Sequence, residues 1–357
     1  MRRLALLTIV VALLVSTVAA VGPVAAATST APSESGGTTI TLVTHDSFNA
    51  SKSVLRAFTK QTGVTVKVLQ SGDAGAAVNQ AILTKSNPLG DVFYGVDNTL
   101  LSRALDEGIF TPYKSPELAN IPAGLELDPK HRVSPVDTGD VCINYDKKYF
   151  ADKKLTVPKT IEDLAKPEYK GLLVVENPAT SSPGLAFLLA TVAKFGNDGW
   201  RSYWEKLRDN DVKVVDGWEQ AYNTEFSGSA GKGDYPLVVS YASSPPAEVV
   251  NAERLPKEAP TGAALNTCFR QIEFVGILKG TAHEKAAKQF VDFMLSEKFQ
   301  QDMPLQMYVF PARDGTKLPE AFLKFAKVAP RPLSLPPQQI ADNRDTWINQ
   351  WTDTVVR

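Results

Sequence analysis

The feature that most constrains the fold of this sequence is a regular alternation of strand-patterned and helix-patterned segments after residue 39. The segment "TITLVTHDSF" is rich in β-branched residues, and "SKSVLRAFTKQTG" follows it with Val54, Leu55 and Phe58 at helical spacing before Gly63. The same order returns in "VTVKVLQSGD", "AAVNQAIL", "DVFYGVD" and "NTLLSRALDEGIF". This alternation predicts an α/β fold whose sheet is parallel or largely parallel and is covered by helices on both faces.

The middle of the chain repeats this theme, and its end is helical. Strand patterns occur in "VCINYD", "GLLVVEN", "VKVV", "YPLVVSY" and the longer "FRQIEFVGIL". Helical patterns occur in "TIEDLAK", "SPGLAFLLATVAKFG", "DGWRSYWEKLRDN", "EKAAKQFVDFMLS", "SEKFQQDM" and "DNRDTWINQWTDTVV". Because 357 residues exceed what one ordinary core organises, we predict two α/β lobes.

The first 27 residues are typical of an export signal. Arg2 and Arg3 precede an apolar run, and "VAAA" at residues 24–27 offers a small-residue cleavage site. An uncleaved membrane anchor is the alternative, since the run is almost long enough to span a bilayer. No cysteine lies at the cleavage site, so a lipobox is not expected. The small polar residues of 28–38 predict a flexible linker.

The charge balance is mildly acidic and excludes one class of partner. The whole chain carries a net charge of −1, which becomes −3 once the two arginines of residues 1–27 are removed. The sequence contains no block of basic residues. We therefore expect no nucleic-acid partner.

Common catalytic and metal-binding motifs are missing from the sequence. We find no G-x-S-x-G, H-E-x-x-H, G-x-x-x-x-G-K-[ST] or C-x-x-C, and the histidines His45, His131 and His283 are not at metal-ligand spacing. We therefore expect no metal, no cofactor and no catalytic residues. An exported enzyme stays as an alternative.

Acidic and aromatic residues follow the predicted strands, where ligands of α/β sheets bind. Asp73 follows the second strand, and Trp218 and Tyr241 follow two later strands, with Tyr222 four residues after Trp218. A carboxylate among aromatic rings attracts an organic cation. The alternatives are that Trp218 only packs against a helix and that Asp73 only caps one.

The turn "ENPATSSPG" connects a strand to a helix and carries Ser181. Hydroxyl and free N–H groups at a helix start can bind a polar group or an anion. A simple helix cap, with Pro183 at the first helical turn, is the alternative.

Taken in order, several segments resemble the thiamine-binding proteins of bacterial ABC import systems. They are "THDSFNASKSVLRAF", "DVFYGVDNTLL", "NPATSSPGLAFLLATVAKFG", "DGWEQAY", "VVSYASSPPAE" and "TWINQW". The resemblance implies a periplasmic-binding-protein-like fold of type II, with a ligand cleft between two lobes joined by two hinge strands. It implies lobe 1 over residues 39–138 and 270–357, and lobe 2 over 139–269. It also implies binding of thiamine and its phosphates, delivery to a membrane permease, and a monomer.

The resemblance implies a role for several positions. Asp73 is expected near the cationic thiazolium, and Ser181 near the phosphate or hydroxyethyl end. Trp218 and Tyr241 match the aromatic residues that enclose the ligand, whereas Tyr222 is expected as a further ring from the chemistry of the strand ends alone. These roles agree with the chemistry of the residues at the strand ends.

Two positions depart from the family pattern. Tyr308 stands where the family usually has a tryptophan, and His45 stands where it usually has a tyrosine. The tryptophan that the family often carries a few residues later is missing from "NASKS". These departures bear on the affinity and on the choice among thiamine, its monophosphate and its diphosphate.

The two cysteines fall where the resemblance expects the strands between the lobes. Cys142 lies in "DVCINYD" and Cys268 in "NTCFRQIEF". An exported chain permits a disulfide, which would clamp the hinge region; two buried free thiols are the alternative.

Other cargoes are compatible with this fold. Ferric-ion binders resemble the chain but typically present two adjacent tyrosines, whereas Tyr241 is followed by Ala242 and the sequence has no Tyr-Tyr pair. Polyamines and other small cations fit rings and carboxylates as well as thiamine does.

Overall fold

A computed structural model describes residues 37–357 of the chain. The predicted export signal over residues 1–27, and all but the last two residues of the 28–38 linker, lie outside the described residues. Within the described part, no helix is both long enough and apolar enough to cross a membrane.

Within residues 37–357, the strands form one sheet of ten strands. Along the main path of the sheet their order is β2-β1-β3-β9-β5-β8-β6-β7, with β4 paired to β9 and β10 paired to β5. The strands are β1 (Thr39–Thr44), β2 (Thr65–Gln70), β3 (Val92–Asp97), β4 (Phe110–Thr111), β5 (Val133–Asp146), β6 (Leu173–Glu176), β7 (Lys213–Val215), β8 (Leu237–Tyr241), β9 (Thr261–Leu278) and β10 (Phe310–Pro311).

The sheet is mixed, so the prediction of a largely parallel sheet was wrong at its centre. The outer groups are parallel, β2-β1-β3 on one side and β8-β6-β7 on the other. Between them the long strands β5 and β9 pair antiparallel, from Val133 opposite Gly276 to Asp146 opposite Thr261. Both also pair antiparallel with their outer neighbours, β8 and β3. The centre of the sheet is therefore antiparallel, because it consists of two long strands that pair with each other and with one neighbour in each half.

Helices cover the sheet, and their bounds follow the sequence pattern with a few differences. The predicted helix "TIEDLAK" is only a short 3-10 turn, Glu162–Ala165. The predicted pair of helices within residues 182–209 is confirmed: two helical segments meet at a kink at Gly196, whose φ is 69°, and together form one long element. The helices are α1 (Lys52–Thr62), α2 (Ala74–Leu83), α3 (Leu101–Asp106), α4 (Lys147–Lys153), α5 (Ser182–Asp209), α6 (Trp218–Gln220), α7 (Glu284–Leu295), α8 (Glu297–Gln300), α9 (Met303–Gln306), α10 (Glu320–Phe325) and α11 (Pro337–Val355).

Helix α1 illustrates how local chemistry sets these bounds. The Ser51 hydroxyl accepts a hydrogen bond from the Val54 N–H and caps the first turn. Gly63 ends the helix in the left-handed conformation, with φ 74°, and its N–H donates to the Thr59 carbonyl. The apolar face buries Val54 and Phe58. The spacing of the apolar residues and the terminating Gly63 are the signals from which the sequence predicted the helix.

Two large hydrophobic cores lie against the sheet. In one, Phe58 of α1 packs edge-on against Phe290 of α7, with ring centroids 5.0 Å apart. In the other, Trp204 of α5 meets Trp351 of α11 edge-on at 5.4 Å. Buried aromatic rings therefore fix the terminal helix α11 to α5, although the two helices are far apart in the sequence.

Strands β5 and β9 are also joined covalently. Cys142 and Cys268 form a disulfide across them, with their Cα atoms 4.1 Å apart. Nearby, Asp140 of β5 pairs with the guanidinium of Arg270 on β9 and accepts the Ala329 N–H at 2.7 Å. A disulfide and an ion pair thus both link the two central strands, β5 and β9.

Candidate functional site

A cavity of about 350 Å³ opens where several strands end. The segments that follow β1, β2, β7 and β8 supply part of its wall, and the residues between α9 and β10 supply another part. The lining residues are His45, Ser47, Asn49, Asp73, Ala74, Ser182, Pro183, Trp218, Glu219, Tyr222, Asn223, Ala230, Tyr241, Ser244, Ala247, Glu248, Glu273, Gln306, Met307, Tyr308 and Val309.

Six of the seven ligand-contact residues expected from the sequence line this cavity. They are His45, Asp73, Trp218, Tyr222, Tyr241 and Tyr308. Ser181 does not line it; it is 1% exposed, and its neighbours Ser182 and Pro183 reach the wall instead. The Ser181 hydroxyl lies close enough to help lower the pKa of Asp73, but it makes no hydrogen bond of normal geometry.

Trp218 and Tyr222 form a stacked pair in the cavity wall. Their ring centroids are 5.0 Å apart and their planes differ by 13°. The Trp218 indole N–H donates to Ser240 Oγ at 2.9 Å, and the Tyr222 hydroxyl donates to Glu248 at 3.0 Å. α6 continues into a π-helical turn, Ala221–Glu225, which brings the two rings together. The pair is held at both polar ends and therefore presents a fixed aromatic surface.

Tyr241 and Tyr308 add two further rings. A Cβ at Gly139 would lie 2.7 Å from the Tyr241 ring, so the absence of a side chain at Gly139 makes room for that ring. Tyr308 adopts φ 55°, a left-handed conformation that is costly for a tyrosine. Such strain is typical of residues held in place at binding sites.

Asp73 connects two segments of the site through its carboxylate. One oxygen accepts the Ala74 N–H at 2.5 Å and caps α2, and the other accepts the Trp218 N–H at 2.8 Å. Burial raises the pKa of Asp73, while the hydrogen bond from Trp218 and the nearby His45 oppose the shift. Helix cap and cavity wall are therefore two roles of one residue.

The approach of α2 to the turn before α5 depends on Gly75. A Cβ at Gly75 would lie 2.7 Å from the Thr180 carbonyl group, and the Ala76 N–H donates to that carbonyl at 3.0 Å. A larger residue at position 75 would separate the two segments and displace Asp73.

Behind His45 lies a buried acidic network that the sequence analysis missed. Glu273 Oε1 lies 3.4 Å from His45 Nε2, and the Tyr94 hydroxyl donates to Asp137 at 2.6 Å and to Glu273 at 3.3 Å. Burial raises the pKa of Glu273 to about 7; burial and then the charge of Glu273 raise the pKa of Asp137 well above its ordinary range. Burial lowers the pKa of His45, although Asp73 opposes this shift. A glutamate inside the otherwise apolar "IEFVGIL" was the signal available for Glu273.

The lining is acidic overall. Four carboxylates, those of Asp73, Glu219, Glu248 and Glu273, belong to it, and no lysine or arginine does. Among residues 37–357, no group of three or more His, Cys, Asp or Glu side chains is arranged to hold a metal ion. Rings and carboxylates together are suited to an organic cation.

Comparison with known proteins gives consistent matches over most of the chain. Residues 87–331 match the family model described as bacterial extracellular solute-binding protein. A thiamine-binding periplasmic protein of Brucella suis is 30% identical over 340 residues, covering 92% of this chain and 95% of the relative. One of Salmonella typhimurium is 29% identical over 326 residues, covering 89% and 94%.

A solved structure agrees with these sequence matches. The structure described as periplasmic thiamin binding protein superposes with a TM-score of 0.79 at 27% identity. The superposition covers 89% of this chain and 96% of the other.

Proposed function

The chain belongs to the bacterial extracellular solute-binding proteins and has their two-lobed type II fold, and on this premise we propose that it captures thiamine and its phosphates outside the cytoplasm and delivers them to an ABC import permease. Lobe 1 would comprise residues 39–138 and 270–357, and lobe 2 residues 139–269. Strands β5 and β9 would be the hinge strands. The protein would act as a monomer, and the relatives named periplasmic support export.

The observation that carries this proposal is the cavity in which aromatic rings and carboxylates meet. Thiamine is a flat, two-ring organic cation, and ring faces attract a cation with about 0.5–2 kcal/mol each. Its thiazolium would lie near Asp73, and its rings would stack among Trp218, Tyr241 and Tyr308. The stacked Tyr222 would hold Trp218 in position.

Binding would couple to closure of the two lobes. Contacts that exist only when both lobes meet the ligand favour the closed form. The ligand shifts the equilibrium between the open and closed forms only because it binds the closed form more tightly. The closed form would then be recognised by the permease. Since the proposed role is capture and delivery, we assign no catalytic residue and no cofactor, and we infer that the protein is not an enzyme.

A polyamine is the second candidate cargo. The four carboxylates of the lining favour a ligand with several positive charges as much as one with a single charge. A polyamine, however, has no flat ring to fill the space beside Trp218. Ferric ion is a weaker candidate, since the sequence has no adjacent pair of tyrosines to ligate it.

Calorimetric titration of ligand-stripped mature protein with thiamine, spermidine and ferric ion tests the proposal. We expect tight binding of thiamine and a loss of about five- to thirtyfold in affinity in Trp218→Ala, because a stacked ring in a desolvated site contributes about 1–2 kcal/mol. Phe195→Ala is the matched control, since Phe195 stacks on Tyr203 outside the cavity. Preferential binding of spermidine or iron would contradict the thiamine assignment, and unchanged affinity in Trp218→Ala would contradict the role of that ring.

A further inference from the structure

We propose that Met307 is an oxidation-sensitive residue in the wall of the cavity, and that oxidation of its thioether to the sulfoxide by a peroxide lowers the affinity for cargo. The site of modification follows from the exposure and the hydrogen bonding of the sulfur. Its consequence for binding rests on the thiamine function proposed above, because thiamine is the cargo whose affinity is measured.

Met307 carries the one oxidisable sulfur within residues 37–357 that a small oxidant can reach. The sequence has four methionines, and Met1 lies in the predicted signal. Met294 and Met303 are 0% and 1% exposed, whereas Met307 is partly exposed and lines the cavity. The two cysteines are buried and already joined in a disulfide. Since oxidation of methionine follows exposure, a peroxide should modify Met307 first.

The Met307 sulfur links the segment before β10 to the loop after β1. The Asn49 N–H donates to Met307 Sδ at 3.0 Å, and the Asn49 side-chain amide donates to Gln306 Oε1 at 2.7 Å. The Met307 N–H donates in turn to the Met303 carbonyl at 2.8 Å. Asn49, Gln306 and Met307 all line the cavity. The thioether therefore helps to fix two segments of the cavity wall relative to each other.

The residue that follows Met307 is Tyr308, one of the rings of the cavity. Its left-handed conformation, with φ 55°, is costly for a tyrosine and persists only where surrounding contacts impose it. The hydrogen bond between Asn49 and Met307 lies one residue before this position and is one of those contacts. A change at the sulfur should therefore displace the Tyr308 ring.

Oxidation replaces a weak acceptor with a group of different size and polarity. A sulfur lone pair attacks one oxygen of hydrogen peroxide; the S–O bond forms, the O–O bond breaks and water leaves, so sulfur loses two electrons and the peroxide gains them. The sulfur of a sulfoxide carries partial positive charge, and the new oxygen becomes the acceptor in its place. At 3.0 Å no oxygen fits between the Asn49 nitrogen and Met307 Sδ. The hydrogen bond therefore breaks or the two segments separate.

The experiment treats the mature wild-type protein with hydrogen peroxide, locates the added oxygen by peptide mass spectrometry, and titrates treated and untreated protein with thiamine. We expect oxidation of Met307 before Met294 or Met303. Affinity should fall about tenfold, because displacement of Tyr308 removes most of one ring contact. Hydrogen exchange at the Asn49 N–H should become faster, since this donor loses its acceptor.

Two outcomes would overturn the proposal directly. Oxidation of Met294 or Met303 before Met307 would contradict the site of modification. Unchanged affinity in protein oxidised at Met307 would contradict its effect on binding. If the untreated protein did not bind thiamine, the thiamine function would be contradicted instead. The position of the added oxygen and the exchange rate at Asn49 would then still decide whether Met307 is the sensitive residue.

Two methionine variants separate this mechanism from general oxidative damage. Met307→Leu has no sulfur at this position, so peroxide should leave its affinity at the value of its own untreated form. Met303→Leu removes a buried sulfur outside the cavity and keeps Met307, so it should lose affinity on treatment as the wild type does. An equal loss on treatment in Met307→Leu would contradict the role of Met307.

Discussion

Glu273 shows how a single residue can link ligand binding to pH. It lies on β9 in the wall of the cavity, and the groups facing it are His45, Tyr94 and Asp137. Burial raises its pKa to about 7, above the ordinary value of a glutamate. The charge of the cavity wall therefore changes within the neutral pH range.

We predict opposite pH trends for binding and for stability. Affinity for thiamine should rise from pH 6 to pH 8, because ionised Glu273 adds an attractive charge. Stability of the unliganded protein should fall as the pH rises from about 4.5 to about 7 and stay level above that, because between these values the folded protein keeps the Glu273 proton and the unfolded chain has lost it. Calorimetry and thermal unfolding at each pH measure the two trends.

Glu273→Gln provides the control for this prediction, because it keeps the shape and removes the titration. The variant should show a flatter pH dependence of affinity between pH 6 and pH 8. An equally steep profile in the variant would assign the effect to other carboxylates of the cavity.

At the scale of secondary-structure elements, packing of α11 on α5 joins the end of the chain to its middle. We predict that Trp351→Ala lowers the free energy of unfolding by about 3–5 kcal/mol, because the buried indole leaves a cavity beside Trp204. Thiamine affinity should not change, since Trp351 does not line the ligand cavity. Urea denaturation and calorimetry measure the two quantities.

Trp351→Phe is the matched variant for this position. The indole N–H of Trp351 has no hydrogen-bond partner among the described residues, so a phenyl ring loses volume but no hydrogen bond. A smaller loss of stability is therefore expected. Equal losses in the two variants would contradict a packing explanation.

The secondary-structure elements also show what local sequence patterns can predict. Helix α1 and strands β1 to β3 follow from spacing and capping, because those signals act within a few residues. The first half of β5 was not predicted, since "SPVDTGD" contains proline, glycine and acidic residues, and it is a strand only because β9 pairs along it. The antiparallel centre of the sheet depends likewise on pairing between distant residues, which periodicity does not encode.

The residues of the candidate site likewise fall into those that the sequence could predict and those that it could not. The aromatic residues and Asp73 were predictable, because they stand directly after strand patterns or in segments that resemble known proteins. Glu273 and Glu248 were not, since their position at the cavity follows from how β9 and the turn after β8 are placed in space. Ser181 and Ser182 were indistinguishable by type, and the direction of the first turn of α5 decides which one reaches the wall.

At the scale of the whole molecule, the disulfide between β5 and β9 bears on how the lobes move. Cys142 and Cys268 are 126 residues apart in sequence, so the bond closes a long loop in the unfolded chain. We predict that the unreduced secreted protein has no titratable thiols, and that Cys142→Ala combined with Cys268→Ala lowers stability by about 2–5 kcal/mol. Thiamine binding should survive, because we expect the bond to restrain opening of the proposed hinge without preventing it. Two free thiols in the unreduced protein would contradict the prediction.

The position of Asp73 has a consequence for communication across the molecule. Its carboxylate holds the start of α2 with one oxygen and the backbone of Trp218 with the other, and these segments belong to different proposed lobes. A cation that approaches this carboxylate alters the strength of both hydrogen bonds together. In the proposed binding mode, Asp73 would therefore both contact the cargo and transmit its arrival to both proposed lobes, and no separate relay between them would be needed.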